Sequence, residues 1–412
     1  MIVTVRNSKL KGQVEAIPSK SVAHRMLLLG GLSEKPTKIS GIYPSDDVTA
    51  TVNCLKSLGV KFENDTICGG NLNHTGTLDV KESGSTLRFL LPIVAAIGGE
   101  FEFICKGRLI DRPNDELYSV LRTHGISISH GKTIKLSGKL SSGKFEINGN
   151  VSSQYISGLL MALPTLEFDS EIVLKSKLSS ENYIDITLEV LEKFGIEIQK
   201  TPSGYKILGN QKYVATENLV VDGDWSNSAF FLVYSAINGG VQVSNLDINS
   251  KQGDRQILDI LQKLGIKVQI ENNTVTVKQK AIKPLEIDVD NIIDLTPILA
   301  VLCACAKGES VLKNIKRLRL KESDRVKSTI EMLKSVGIEA FEQGDAIHIV
   351  GGEIHGGIVN SYNDHRIVMA SAIAGLLSND CVTIENAEAA NKSYPTFFED
   401  IKALGGIIDV KI

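Results

Sequence analysis

Side chains able to do chemistry recur in this sequence at one kind of place, the point where an apolar, helix-like run begins. Hydroxyl and amide residues stand there in Ser19-Lys20-Ser21, Ser83-Gly84-Ser85-Thr86, Ser152-Ser153-Gln154 and Asp224-Trp225-Ser226-Asn227. Cations follow within a turn: Lys20 itself, Arg25, Arg88, and Arg366 in Asn363-Asp364-His365-Arg366. A second series repeats the theme in Arg108-Leu-Ile-Asp-Arg112-Pro113, Lys321-Glu322-Ser323-Asp324-Arg325 and Lys392-Ser-Tyr-Pro395, with Pro113 suited to a first helical turn. Capping alone explains a hydroxyl at a helix start. It does not explain a cation there, which opposes the helix dipole unless an anion sits nearby. Helix N–H groups, hydroxyls and bidentate arginine together bind phosphate or carboxylate. The indicated chemistry is recognition of small, multiply charged anions. Asp294 and Glu322 are carboxylates embedded among these cations. They partly repel such ligands, so acid–base work is the natural reason for them.

Neither a metal nor an organic cofactor is expected. Of the seven histidines only His365 falls in such a cluster, and no HExxH or paired Cys/His spacing occurs. No Walker A or dinucleotide-type glycine loop is present.

The elements that position these residues are repeated. An amphipathic run ending in Leu-x-x-Φ-Gly-Ile/Val, or a close variant, recurs with its glycine at Gly59, Gly125, Gly195, Gly265, Gly337 and Gly405, at intervals of 66, 70, 70, 72 and 68 residues. Each glycine stands where a helix ends in a left-handed cap. A more apolar, buried helix precedes each, starting near Ser21, Ser85, Ser153, Ser226, Leu295 and His365. The unit reads strand, buried helix, strand, amphipathic helix, strand, strand, a βαβαββ-type α/β repeat. Units near 70 residues are longer than the common solenoid repeats. Six copies predict two domains of three repeats each: residues 18–224 for repeats 1–3, and residues 1–17 plus 225–412 for repeats 4–6, the N-terminal strand joining the C-terminal half. The helix starts would then gather in an active-site cleft between the domains.

Composition fits that frame. The chain has 412 residues, 42% apolar and 23% charged, with a formal net charge of −3. Two or more cores are expected, and no global basic field speaks for nucleic acid. The alternating N-terminus has no signal-peptide core, and the longest apolar run, Leu295 to Ala306, is too short to span a membrane. Six dispersed cysteines read as free, buried thiols in a reducing cytoplasm. A cytoplasmic monomer is expected.

Taken in order, the motifs resemble those of the 5-enolpyruvylshikimate-3-phosphate synthase family. The resemblance spans nearly the whole chain. It comprises Pro18-Ser-Lys-Ser-Val-Ala-His-Arg25, Ser45-Asp-Asp47, Gly84-Ser-Thr-Leu-Arg88, Asp111-Arg-Pro113, Ser152-Ser-Gln154, Tyr183-Ile-Asp-Ile-Thr187, Gly223-Asp224, Gln252-Gly-Asp254, Lys321-Glu-Ser-Asp-Arg325, Asn363-Asp-His-Arg366 and Lys392-Ser-Tyr-Pro395. It implies a two-domain fold of six repeats and transfer of the enolpyruvyl group of phosphoenolpyruvate to the 5-hydroxyl of shikimate 3-phosphate, with release of phosphate. By similarity, Lys20, Ser21, Arg25, Ser152, Ser153, Gln154, Ser180, Tyr183, Asp294 and Lys321 hold shikimate 3-phosphate. Lys20, Gly84, Arg112, Gln154, Arg325, Arg366 and Lys392 hold phosphoenolpyruvate, with His365 of the same cluster beside them.

The reaction needs a proton on the methylene carbon of phosphoenolpyruvate, attack by the hydroxyl, and phosphate loss from a tetrahedral intermediate. Asp294 is expected to take the hydroxyl proton, with Glu322 at the methylene carbon and Lys20 assisting. Because Lys321 and Arg325 favour ionised Glu322, either Lys20 or Glu322 can be the initial acid. Two positions depart from the family pattern: Glu82, often Asn, and Arg317, which replaces a polar residue. The related UDP-N-acetylglucosamine enolpyruvyl transferase typically has Lys-Asn where this chain has Lys20-Ser21, and a loop cysteine where it has Gly107. An inactive anion-binding repeat protein should have lost Lys20, Asp294 and Glu322, and all three are present.

Overall fold

The computed structural model describes residues 1–216 and 218–411. The chain forms two compact units: a continuous one, Pro18–Asp222, and a two-segment one, Met1–Ile17 with Gly223–Ile412. The described residues make twelve α-helices and six four-stranded sheets, three sheets to a unit.

The continuous unit holds α1 (Lys20–Leu32), α2 (Asp46–Ser57), α3 (Gly84–Ile97), α4 (Asp115–Thr123), α5 (Ser153–Ala162) and α6 (Glu181–Lys193). The two-segment unit holds α7 (Trp225–Asn238), α8 (Ile257–Lys263), α9 (Thr296–Ala304), α10 (Arg325–Ser335), α11 (His365–Leu377) and α12 (Phe397–Ala403). Odd-numbered helices are the buried ones. All nine residues of α9 are buried, for example, as are twelve residues of α11. Each buried Leu, Ile or Val there contributes about 1.5–3 kcal/mol.

One sheet plan repeats. In the second repeat Thr75–Lys81 pairs parallel with Gly99–Cys105, which pairs antiparallel with Ile134–Gly138, itself antiparallel to Ile126–His130. The parallel pair flanks a buried helix, as a crossover requires. Distant strands complete two repeats of the two-segment unit: Ile2–Arg6 inserts between Cys381–Glu385 and Ile407–Lys411, and Gly12–Glu15 lies parallel to Val241–Ser244. In the continuous unit Leu219–Val220 returns to pair with Thr37–Ser40 of its first repeat.

The six glycines of the amphipathic helices all adopt positive φ, between 72° and 97°. They end these helices in the expected left-handed turn. Pro113 falls outside its expected place. It lies between Arg112, which caps the end of the 3-10 turn Gly107–Asp111, and Asn114, the N-cap of α4, so it precedes the helix instead of entering it. Lys392 closes the 3-10 turn Ala387–Lys392, ahead of α12, and does not open that helix.

All six cysteines are free thiols, but only Cys54 and Cys303 are buried; the other four are half-buried. Burial still pushes the Cys54, Cys105, Cys303 and Cys305 thiols up to about 12. Among the described residues no helix is long and apolar enough to cross a membrane.

Candidate active site

The first turns of all six buried helices contain no Asp or Glu. Those of α2, α4, α6, α8 and α12 do. The starts of α1, α3 and α5, capped by Ser19, Ser83 and Ser152, thus present positive dipole ends that no acidic residue of their own turn neutralises, an arrangement suited to an anionic ligand, whereas α7 and α11 carry the acidic N-caps Asp224 and Asp364.

In the continuous unit Ser19 caps α1, and Lys20 is the first helical residue. The Lys20 ammonium lies 2.7 Å from Asp47 Oδ2 in the first turn of α2. Arg25, one turn on, is buried. Its Nε donates to Thr187 Oγ1 at 2.7 Å, Nη1 to the Ser21 carbonyl at 2.6 Å, and Nη2 to the Tyr183 carbonyl at 2.8 Å and to Ser157 Oγ at 3.4 Å. Burial pulls its pKa down to about 9, leaving it charged at neutral pH. Arg25 therefore clamps α1, α5 and α6 together and sets the backbone at Ser21 and Tyr183. Ser180 begins α6 with a φ of 55°. A residue with a Cβ persists in that left-handed conformation only where its surroundings enforce it.

A second group gathers at α3. Its first residue is Gly84, where a Cβ would stand 2.9 Å from Arg112 Nη1. Glycine lets the mostly buried Arg112 guanidinium lie against the helix start. Arg88 donates from Nε to Asn114 Oδ1 at 3.0 Å, from Nη2 to the Pro113 carbonyl at 3.1 Å and from Nη1 to Gln154 Oε1 at 2.7 Å. Gln154 Nε2 in turn donates to Ser85 Oγ at 2.9 Å, so both ends of the amide are fixed. Ser152 caps α5 by accepting from Gln154 N, and Ser153 is its buried first residue. The Glu82 carboxyl packs over Gly107, where a Cβ would meet its carboxyl carbon at 2.7 Å.

The two-segment unit centres on Arg325, the first residue of α10, which is 1% exposed. Its Nε donates to Asp364 Oδ2 at 2.8 Å and Nη2 to Asp364 Oδ1 at 3.2 Å. Nη1 donates to Asp294 Oδ1 and Nη2 to Glu322 Oε2, both at 2.7 Å. Burial opposes this charge, but Asp364, Glu322 and Asp294 outweigh it and hold the pKa well above the ordinary arginine value. Asp364 is wholly buried and caps α11, whereas the Asp294 and Glu322 side chains remain about a fifth exposed. Lys321 Nζ lies 3.1 Å from Asp294 Oδ1; burial lowers its pKa, and Asp294 pulls the other way.

The rest of the predicted cluster surrounds the start of α11. His365 Nδ1 is 3.9 Å from Asp364 Oδ1. Arg366 Nη1 donates to Asn227 Oδ1 at 3.2 Å, while Arg366 Nε and Asn227 Nδ2 are buried donors with no acceptor among the described residues. A ligand oxygen or a water can satisfy such donors. Lys392 Nζ donates to the Asn363 carbonyl at 2.6 Å. Arg317 is engaged locally, with Nη1 3.3 Å from Asp290 Oδ1.

Asp254, of the Gln252-Gly-Asp254 motif, is buried and accepts from Ser226 Oγ. Burial, then the nearby Asp294, pushes its carboxyl up to about 7, against the opposing pull of Arg366 and the Ser226 hydroxyl. Asp47, Asp364 and Asn114, to which the sequence alone gives no role, hold Lys20, Arg325 and Arg88. Asp364 and Asn114 stand beside cationic motifs in the sequence and Asp47 does not, and adjacency does not say which side chains meet.

Six α/β repeats whose buried helices start among cations, with carboxylates held between them, define a protein built to bind and transform small anions. A family model described as EPSP synthase (3-phosphoshikimate 1-carboxyvinyltransferase) matches residues 5–401. A 3-phosphoshikimate 1-carboxyvinyltransferase of Clostridium novyi (strain NT) is 39% identical over 424 aligned residues, covering 98% of this chain and 97% of its own. One from Clostridium kluyveri is 40% identical over 420, covering 99% and 98%. The solved structure of EPSP synthase from Acinetobacter baumannii matches at a TM-score of 0.83 and 26% identity, over 100% of both chains. The chain belongs to the EPSP synthase family.

Proposed function

We propose that this chain transfers the enolpyruvyl group of phosphoenolpyruvate to the 5-hydroxyl of shikimate 3-phosphate and releases phosphate, a step of the shikimate pathway towards aromatic amino acids. The observation that carries the proposal is the Arg325 cluster. Two partly exposed carboxylates, Asp294 and Glu322, are each held at 2.7 Å by one buried guanidinium. Family membership supplies the substrates that such a pair would serve.

In the continuous unit, Lys20, Ser21, Arg25, Ser152, Ser153, Gln154, Ser180 and Tyr183 serve shikimate 3-phosphate, and Lys20, Gly84, Arg112 and Gln154 serve phosphoenolpyruvate. Arg25 acts mainly by fixing Ser21 and Tyr183. In the two-segment unit, Asp294 and Lys321 serve shikimate 3-phosphate, and Arg325, His365, Arg366 and Lys392 serve phosphoenolpyruvate.

The chemistry follows from the charges. Arg325 favours ionised Asp294 and Glu322, so both begin as bases and Lys20 is the initial acid. The Lys20 ammonium gives a proton to the methylene carbon as the carbon–carbon π bond opens. The 5-hydroxyl oxygen bonds to the cationic carbon, and Asp294 takes the hydroxyl proton. The carbon–oxygen bond to phosphate then breaks while Glu322 removes a methyl proton. Of the two protons collected, one restores Lys20 and the other leaves with phosphate. Surrounding cations stabilise the anionic intermediate without reorganising.

The protein works as a monomer in the cytoplasm; its free thiols fit a reducing compartment. The test is phosphate release from phosphoenolpyruvate with shikimate 3-phosphate or UDP-N-acetylglucosamine as acceptor. Release is expected with the first alone. Release only with the second would reassign the acceptor, and release with neither would point to an inactive binding protein.

A further inference from the structure

Behind the start of α3, four wholly buried side chains form a continuous chain of hydrogen bonds. His24 Nδ1 is 2.7 Å from Thr51 Oγ1, Thr51 Oγ1 is 2.7 Å from Thr86 Oγ1, and Thr86 Oγ1 donates to Ser83 Oγ at 2.7 Å. The chain joins α1, α2 and α3.

Each hydroxyl has one proton, and this sets the direction. Thr86 gives its proton to Ser83, so it receives one from Thr51. Thr51 therefore receives from His24, whose Nδ1 carries the hydrogen. The remaining nitrogen, Nε2, then bears only a lone pair, and it is the atom that meets no partner among the described residues. A buried lone pair is better tolerated than an orphaned N–H. Protonating Nε2 would place a third positive charge beside Lys20 and Arg25. Burial and those two cations hold the imidazole well below its ordinary pKa, so it stays neutral.

The Ser83 end of the chain touches residues already assigned. Ser83 is the N-cap of α3, accepting from Thr86 N at 3.3 Å, and Gly84 follows with Arg112 against it. Thr86 Oγ1 also lies 3.4 Å from the backbone carbonyl of Asp47, whose carboxylate holds Lys20. None of His24, Thr51 and Thr86 can reach a ligand, since all are fully enclosed.

We propose that the His24–Thr51–Thr86 relay is a positioning device for phosphoenolpyruvate: it locks the Ser83 cap beneath Gly84 and Arg112, and the turn from which Asp47 holds Lys20. The identity of the anion rests on the function proposed above; the relay itself does not.

The test compares Thr51→Val, which keeps shape and deletes the hydroxyl, with Thr51→Ser, which keeps the hydroxyl. Thr51→Val should raise the KM for phosphoenolpyruvate about tenfold while the KM for shikimate 3-phosphate moves less than about twofold, and Thr51→Ser should stay within about twofold of wild type in both. An unchanged phosphoenolpyruvate KM in Thr51→Val, or equal effects of the two variants, would overturn the proposal. A second measurement needs neither variant. Nitrogen NMR of the wild-type protein should show His24 as the Nδ1–H tautomer, without titration from pH 8 to pH 5. An Nε2–H tautomer or a titrating His24 would overturn the relay. Wild-type protein without turnover on the two substrates would instead refute the proposed function and leave the tautomer measurement to decide the relay.

Discussion

Arg325→Met is the perturbation whose cost the structure resolves best. The guanidinium distributes four hydrogen bonds, of 2.7 to 3.2 Å, over Asp294, Glu322 and Asp364. The first two carboxylates reach water and can resolvate once the cation is gone. Asp364 cannot, being wholly buried. Removing one partner of a buried pair costs about 3–5 kcal/mol, because the other charge stays buried without its counter-ion. Asp364 keeps three dipolar donors, Ser323 N–H, Ser323 O–H and Arg366 N–H. They favour the lower part of that range. The orphaned carboxylate is relieved by taking up a proton, so the deficit should be larger at pH 8 than at pH 5.5. Replacing Asp364 with Asn in the same chain removes the orphaned charge and should recover at least about 1 kcal/mol. Denaturant unfolding of wild type, Arg325→Met and the double variant at both pH values measures this. A loss below about 1 kcal/mol, or a deficit equal at both pH values and unrelieved by Asp364→Asn, would refute the reasoning.

Gly84→Ala places a methyl group 2.9 Å from Arg112 Nη1. The guanidinium must shift, and the KM for phosphoenolpyruvate should rise about tenfold with shikimate 3-phosphate binding little changed; steady-state kinetics in each substrate checks both. Arg88→Lys cannot reproduce contacts to Asn114, Pro113 and Gln154 together, so kcat/KM should fall by about tenfold or more. An Arg88→Lys enzyme of wild-type efficiency would remove Arg88 from the positioning set. Asp254 has a folded pKa raised from 3.8 to about 7, so the wild-type protein loses stability as pH rises towards that value. Asp254→Asn removes this titration and should gain on wild type between pH 5 and pH 8; unfolding curves at the two pH values should show the difference widening.

The repeat was legible because its signal is local. A helix ending in a left-handed glycine needs only a few residues of context, and Gly59 through Gly405 all take positive φ. The starts of the buried helices were legible to within a residue, since capping is also local. Partners were not. Nothing near Arg25 in sequence announces Thr187, Ser157 and the Tyr183 carbonyl, which arrive from α5 and α6 and make it a clamp as well as a cation. Arg325 read as a ligand-binding cation, and the structure gives it three carboxylates from separate segments. Pro113 fitted a first helical turn by type, but the preceding 3-10 turn moved the helix start to Asp115. Motif order identified the family; only the fold brought each acid to its base.

The most direct test is Asp294→Ala, assayed for phosphate release from phosphoenolpyruvate with shikimate 3-phosphate while shikimate 3-phosphate binding is followed by calorimetry. Turnover should fall by about a hundredfold or more, the scale of a lost general base, with shikimate 3-phosphate binding still measurable. Near-normal turnover in that variant would contradict the assignment of Asp294 and the acid–base scheme built around the Arg325 cluster.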